Sequence, residues 1–458
     1  MYISDTIAAI STALGEGAIG IVRMSGPEAI DWVSQVFKGK DLNQVASHTI
    51  HYGHLCNQEG QVIDEVMVTI LRGPKTYTRE DIVEINCHGG MMAVQSILDV
   101  CLSLGARLAQ PGEFTKRAFL NGRIDLSQAE ALMDVIQSKT SQAMEASMNQ
   151  LQGSLSTKIS ALRQEMLETL AQVEVTIDYP EYDDVDDMSN DQLRQTALTV
   201  KEQVQSILQE AQGGRLFREG IQTAIIGRPN VGKSSLLNRL TGSDKAIVTE
   251  IEGTTRDSIE EYINVKGVPL HLIDTAGIRE TDEVVEQIGV TKSRQIMAKA
   301  DLIILVLNQS EPLTDTDKEL LELTKDQKRL IVLNKEDLPC QMDLDQLSKL
   351  ATKDEWIVLS MVADQNLQAL EDRIADFFYQ GGLNMKDVNY LLNSRHTQLL
   401  KQTIQALDEV IQASQAGLPV DLIQIDYVRA WDLLGEITGE SVQDELLDKL
   451  FSQFCLGK

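Results

Sequence analysis

The stretch Gly227-Arg228-Pro229-Asn230-Val231-Gly232-Lys233-Ser234-Ser235 joins the apolar run Thr223-Ala224-Ile225-Ile226 to Leu236-Leu237-Asn238. Its G-x-x-x-x-G-K-S form, between a predicted strand and a predicted helix, lets backbone N–H groups surround a phosphate chain. Lys233 supplies charge for the β and γ groups, and the Ser234 hydroxyl can ligate Mg²⁺. Three more segments fall in the order that a guanine-nucleotide switch requires. Asp274-Thr275-Ala276-Gly277 follows Leu270-His271-Leu272-Ile273, so Asp274 can reach the Mg²⁺ shell and the Gly277 N–H can meet the γ-phosphate. Asn334-Lys335-Glu336-Asp337 follows Leu330-Ile331-Val332-Leu333. A carboxylate at Asp337 accepts from both the ring N–H and the exocyclic amine of guanine, which selects GTP over ATP. Between these motifs, Thr249-Glu250-Ile251-Glu252-Gly253-Thr254-Thr255-Arg256-Asp257 is polar and flanked by strand signals. Thr255 is the candidate to complete Mg²⁺ coordination when γ-phosphate is present.

Composition bounds the elements that must position these residues. A chain of 458 residues suggests about three domains. No apolar run approaches the roughly 20 residues that span a bilayer, and Met1-Tyr2-Ile3-Ser4-Asp5 lacks a basic signal-peptide head, so a cytoplasmic protein is expected. Cys56, Cys87, Cys101, Cys340 and Cys455 are scattered and odd in number, which argues against a disulfide framework. His51, His54 and Cys56, and again Cys87 and His88, could hold a metal, but half-buried strand residues are the simpler reading. The net charge of −28 gives no global attraction for phosphate backbones, so RNA binding would need a local basic patch or a partner's surface.

The first 120 or so residues read as mixed α+β. Strands are expected over 18–26, 48–55, 62–71 and 81–87, with helices over 27–37 and 91–104. Glu84 interrupts an apolar strand, so it either faces solvent on the open side of a sheet or contacts a ligand. From Leu126 the pattern turns to long Gln/Ala/Leu/Met-rich helices, with Ser127-Gln128-Ala129-Glu130 as a capping box. The acidic run 178–187 reads as a solvated loop, and helical periodicity resumes over 191–217. A helix over 367–379 closes the nucleotide domain. Apolar stripes then recur over 393–416, 423–434 and 441–454. Neither helical flank buries its stripe alone, so one helical domain built from both flanks, with the nucleotide domain inserted, is expected. The expected domains are 1–120, 121–217, 218–381 and 382–458.

The order of these parts, with Pro111-Gly112-Glu113-Phe114-Thr115-Lys116-Arg117 and a terminal Phe454-Cys455-Leu456-Gly457-Lys458, resembles the bacterial tRNA-modification GTPases of the MnmE (TrmE) family over essentially the whole chain. The resemblance implies a folate-binding-like α+β domain, a discontinuous α-helical domain and an inserted α/β P-loop (Ras-like) G domain. It implies a homodimer that joins an FAD-containing subunit, MnmG or GidA, in a heterotetramer. That assembly would install an aminomethyl or carboxymethylaminomethyl group at C5 of the tRNA wobble uridine. The carbon would come from 5-formyl- or 5,10-methylene-tetrahydrofolate, near Arg23, Glu84, Arg123 and Lys458. Position 123 is Lys in some relatives, and Arg here keeps the charge with a different geometry. Cys455 is either a nucleophile for one-carbon transfer or a buried structural thiol.

Hydrolysis lacks two familiar parts. Ile278 after Gly277 cannot orient a water, and no arginine finger is identifiable. The resemblance assigns water positioning to Glu286. It also assigns a K⁺ site near the β–γ bridge to Asn230 and to Thr249, Ile251 and Thr254, formed when two G domains face each other. Ser360-Met361-Val362 departs from the usual Ser-Ala-Lys. A backbone N–H to guanine O6 survives any side chain, so selectivity should persist, with some loss of affinity. A regulatory or ribosome-assembly GTPase that binds RNA is the alternative. It would carry an appended basic domain, whereas the segment after the nucleotide domain here is acidic and helical.

Overall fold

The computed structural model describes residues 5–178, 185–211, 220–242, 246–247, 261–273, 300–362, 366–380, 390, 392–442, 444–454 and 457. The chain divides into two compact units. One comprises Met1–Met133, Ser156–Glu181 and Asp421–Lys458, the other Asp134–Leu155 and Tyr182–Val420.

The first unit holds a seven-stranded sheet ordered β3-β4-β5-β6-β2-β1-β7. Its elements run β1 (Ile7–Ile10), β2 (Gly17–Ser25), α1 (Ala29–Val36), β3 (Phe37–Lys38), β4 (Thr49–Cys56), β5 (Val62–Leu71), β6 (Ile82–Gly89), α2 (Met91–Ser103), β7 (Arg107–Leu108) and α3 (Glu113–Leu120). The pairs are antiparallel except β1 with β7. Strand alternation decides the faces. Val22, Met24, Val66, Val68, Ile70, Val83 and Ile85 pack against Ile30 and Val33 of α1 and Ile97 and Leu98 of α2. β1 is buried on both sides, since Ala8 and Ile10 join that core while Ile7 and Ala9 pack with Ala109, Phe114 and Tyr77. Its uninterrupted apolar sequence follows from that position.

Arg117 on α3 is only 1% exposed, and its charge is compensated on several sides. It donates to the Asp5 carbonyl (2.8 Å), to Asp5 Oδ1 (2.7 Å), to both Glu80 oxygens (3.2 Å) and to Glu113 Oε1 (3.1 Å). Arg107 donates to Asp5 Oδ2 (2.7 Å) and Glu113 Oε2 (3.0 Å). Burial pushes the Asp5 and Glu113 carboxyls up, but hydrogen bonds from Arg107, with Arg117 adding to them, outweigh it and hold both below the usual range.

Helices follow as α4 (Leu126–Gln137), α5 (Ser141–Leu151), α6 (Ser154–Asp178) and α7 (Val185–Glu210). The capping box at α4 is Asp125 with Gln128, two residues before the expected one: Asp125 Oδ1 accepts from Gln128 N–H, and Gln128 Oε1 accepts from Asp125 N–H. Ser127 lies inside the helix, its hydroxyl donating to Asp125. The expected long helix breaks at Thr140, whose side chain accepts from Ala143 N–H, and at Gly153, whose φ is +95°. α7 begins at Val185, six residues before the expected start, so part of the acidic run is helical.

The second unit carries β8 (Ile221–Ile226), α8 (Lys233–Leu240), β9 (Ala246–Ile247), β10 (Glu261–Val265), β11 (Val268–Leu272), β12 (Leu302–Asn308), α9 (Asp315–Leu323), β13 (Arg329–Asn334), α10 (Leu344–Leu350), β14 (Trp356–Val358) and α11 (Leu367–Gln380). Its sheet is ordered β14-β13-β12-β8-β11-β10-β9 and is parallel from β14 to β11. β12 and β13 are buried at every position, as a parallel sheet covered on both faces requires. The chain closes with α12 (Ser394–Gln415), α13 (Val420–Thr438) and α14 (Asp444–Phe451). Leu193, Ala197, Val200, Val204 and Ile207 recur at three- and four-residue spacing on α7, as Leu399, Leu400, Thr403, Ala406, Leu407 and Val410 do on α12; both stripes are buried, and Lys201 pairs with Asp408 at 2.5 Å. In the first unit α13 meets α6, where the Arg163 guanidinium lies 3.9 Å from the Trp431 ring centre. α14 and the turn after it meet α3 through Phe119, Phe451 and Phe454. Gly112 has φ +68°, and a Cβ there would lie 2.4 Å from the Phe451 carbonyl oxygen.

Among the described residues no helix is long and apolar enough to cross a membrane, and no three His, Cys, Asp or Glu side chains cluster as metal ligands would. His88 instead pairs with Asp64 at 2.6 Å. Because the Asp5 and Glu113 carboxyls are lowered by folding, they contribute stability above their unfolded pKa values of about 4, and that stability is lost as pH falls through their lowered folded values. Glu113→Gln should cost about 3 kcal/mol at pH 7 and flatten the loss of stability toward pH 3, as measured by urea denaturation across pH.

Candidate functional site

β8 sits between β12 and β11, where the chain has turned to opposite sides of the sheet, so the loop after Ile226 emerges at a topological switch point. Two glycines let that loop close on its neighbours. Gly227 has φ +152°, and a Cβ there would lie 2.3 Å from the Val306 carbonyl oxygen. Gly232 has φ +105°, and its Cβ would lie 2.2 Å from Asn334 Nδ2. Val231 is buried and anchors the loop, while Asn230 is exposed with φ +62°. Lys233 Nζ donates to the carbonyls of Gly227 (2.9 Å) and Arg228 (2.7 Å), spanning the loop. Ser234 and Ser235 are exposed in the first turn of α8, where backbone N–H groups and the helix dipole favour an anion.

The Asn334-Lys335-Glu336-Asp337 motif meets this loop directly. Asn334 ends β13, is 3% exposed, and donates from Nδ2 to the Val231 carbonyl at 2.8 Å. Its Oδ1 faces the Met361 N–H at 3.4 Å. Lys335 takes a left-handed backbone (φ +71°), and Asp337 is exposed. Asp337 Oδ1 accepts from the buried Ser360 hydroxyl at 2.5 Å, which fixes the carboxylate. Met361 fills the sheet core while Val362 is 83% exposed, so the unusual Ser-Met-Val sequence places its apolar bulk inside.

Thr249, Glu250, Ile251, Glu252, Gly253, Thr254, Thr255, Asp274, Thr275, Ala276, Gly277, Glu286, Cys455 and Lys458 lie outside the described residues. Ile273 N–H donates to the Thr223 carbonyl, so the chain still runs alongside β8 at Ile273. One participant the motifs did not announce is the partner set of Arg228, whose Nε donates to the buried Asp317 (2.8 Å) and whose Nη2 donates to Glu311 (3.1 Å).

In the first unit Arg23 and Glu84 stand opposite each other on β2 and β6. Arg23 Nε and Nη2 donate to Glu84 Oε1 at 2.9 and 2.8 Å, so Glu84 is half-buried and paired rather than simply facing water. Arg23 Nη1 and Ser11 Oγ donate to the Gly457 carbonyl at 3.3 and 3.1 Å. Gly457 has φ +85°, and a Cβ there would lie 2.2 Å from the Ile10 carbonyl oxygen. The Arg23 and Arg123 guanidinium groups lie 5.8 and 4.8 Å from the Tyr77 ring centre. Burial pushes the Tyr77 hydroxyl up, and it shares a 2.8 Å hydrogen bond with Thr115. The structure thus brings Arg23, Glu84 and Arg123 together through Tyr77, which no spacing in the sequence singled out.

Two family models match the chain: the GTP-binding protein TrmE N-terminus over residues 6–123 and the MnmE helical domain over residues 126–455. A protein of Enterococcus faecalis called tRNA modification GTPase MnmE is 59% identical over 457 residues, covering 99% of this chain and 98% of that one. The chain belongs to the MnmE family of tRNA-modification GTPases. A Bacillus cytotoxicus MnmE of the same description is 56% identical over 455 residues, covering 99% of each. The G domain of the T. maritima FeoB iron transporter is 26% identical and covers 34% of this chain and 98% of its own, with a TM-score of 0.26; a score that low adds nothing to the fold drawn from the strands themselves. As the motifs implied, this MnmE-family chain combines an α+β N-terminal domain, a helical domain and a P-loop G domain.

Replacing Gly232 with Ala drives a methyl into the Asn334 amide. Guanine-nucleotide affinity, measured by fluorescent GDP titration, should fall by at least about a hundredfold, since a strained backbone and a displaced reading residue act together.

Proposed function

We propose that this GTP hydrolase works in the cytoplasm as the nucleotide-driven half of a tRNA-modifying assembly. As a homodimer joined to an FAD-containing subunit of the MnmG/GidA kind, it would install an aminomethyl or carboxymethylaminomethyl group at C5 of the wobble uridine. The observation that supports this reading most is the half-buried Arg23–Glu84 pair beside Tyr77. A carboxylate accepts from an amine and an adjacent ring N–H, a guanidinium suits carbonyls or carboxylates, and an aromatic face suits a flat heterocycle. Those residues fit 5-formyl- or 5,10-methylene-tetrahydrofolate, with Arg123 and Lys458 contributing charge. When bound, the folate supplies the one-carbon unit.

The G domain, 218–381 in this proposal, lies between helical parts 121–217 and 382–458, with the folate domain at 1–120. Lys233, the loop N–H groups and the guanine-reading residues bind and orient GTP. Ser234, Thr255 and Asp274 offer oxygens suited to Mg²⁺. Glu286 positions the water. Arg228 is held by Asp317 and Glu311, so the loop's own arginine is not free to stabilise the γ-phosphate. K⁺ held by Asn230, Thr249, Ile251 and Thr254 would supply that charge where two G domains meet.

The test is reconstitution with partner, tRNA, GTP and a folate donor, followed by chromatographic analysis of wobble nucleosides. Modified uridine should form in K⁺, and fall by about a hundredfold or more in Na⁺, given what a missing transition-state cation costs. It should also fail with protein lacking Gly457 and Lys458. Equal yields in both salts would overturn the cation assignment, and equal yields with the truncated protein would overturn the folate site.

A further inference from the structure

Arg239 lies in the last turn of α8, the helix that begins at the phosphate loop. Its guanidinium donates from Nε (3.2 Å) and Nη2 (3.1 Å) to one acceptor, the carbonyl oxygen of Met361. A cation in a last helical turn is favoured by the dipole whatever it touches. Two donors converging on one backbone oxygen of the base-reading loop is a more specific arrangement, and it uses the fixed fork that a lysine lacks.

The loop is held at other points around that carbonyl. Ser360 is tied to Asp337, and the Met361 side chain is locked in the core. Asn366 Nδ2 donates to the Val358 carbonyl at 3.1 Å. The Met361 N–H, by contrast, meets Asn334 Oδ1 only at 3.4 Å, the long end of a hydrogen bond, so that contact uses little of its donor strength.

We infer that Arg239 is a specificity-positioning residue for the guanine base: by gripping the Met361 carbonyl it aims the Met361 N–H at guanine O6 and ties that reading to the helix that binds the phosphates. The inference rests on the guanine-nucleotide reading of this site. It accounts for how a Ser-Met-Val loop without the usual third residue keeps its backbone donor in place. The grip comes from the last turn of α8, through Arg239.

The experiment measures dissociation constants of GDP and 6-thio-GDP for the full-length chain, Arg239→Ala and Arg239→Lys by calorimetry. Sulfur is a weaker acceptor than oxygen, while the ring N–H and amine read by Asp337 are unchanged in the thio compound. The unaltered chain should prefer GDP. Arg239→Ala should weaken GDP by about tenfold, the loss of a charge-assisted hydrogen bond, and weaken 6-thio-GDP much less, so that the preference shrinks. Arg239→Lys, which keeps the charge with one usable donor, should give an intermediate ratio, and it carries the test should the alanine variant fail to fold. Equal losses for both nucleotides, or an unchanged ratio in both variants, would overturn the inference alone. An unaltered chain that bound ADP as tightly as GDP would remove the guanine reading itself, and this inference with it.

Discussion

The amide of Asn334 occupies the space that any side chain at position 232 would need. That single contact, with Nδ2 bonded to the Val231 carbonyl, joins the phosphate loop after β8 to the base-reading motif after β13, two strands separated by β12. It works only if the strands are fixed to within tenths of an ångström, since the clearance is already gone. The complete burial of β12 and β13 and the closure of Gly227 on Val306 provide that precision. The arrangement of the second unit therefore depends on a packing constraint: the loop after β8 and the motif after β13 are fixed on one edge of a parallel sheet.

The first unit uses the same device at another place. Gly112 and Gly457 are each so close to a carbonyl oxygen that no side chain could be admitted, and they seat the end of the chain against α3 and β1. Gly457 thereby reaches Arg23, which already spans to Glu84. Arg117, with carboxylates from residues 5, 80 and 113 around it, positions the helix that carries Phe114 beneath Arg23. A buried charge of this kind contributes little net stability against an apolar alternative, but removing one partner is costly, so it specifies a unique arrangement of α3.

The strand, turn and helix around Gly227–Ser234 were legible because that motif encodes local events: a strand, a turn that needs glycine, a helix start. The sheet's apolar strands and the helices over 393–416 and 91–104 were legible for the same reason, since periodicity within a segment is a local property. What escaped was non-local. Glu84 looked ambiguous because its partner, Arg23, is set by the register of β2 on β6, which no window of sequence contains. Tyr77 sits in a loop without periodicity, and Asp317 reaches Arg228 from a different strand–helix unit. The helix cap moved from Ser127 to Asp125 because two capping-box patterns overlap there, and a reciprocal pair with Gln128 wins. Met361 departed from the usual loop sequence because it serves the core, a role visible only once β14 and α11 are in place.

That guanine is selected by a carboxylate held on Ser360 is the central claim, and the most direct measurement is the affinity of Asp337→Asn for GDP and for XDP. An amide donates where the carboxylate accepted, so it matches the 2-oxo group of xanthine instead of the 2-amino group of guanine. GDP binding should fall by about a hundredfold or more while XDP binding rises above that of the unaltered chain. Retained GDP affinity, or loss of GDP without gain of XDP, would contradict the account.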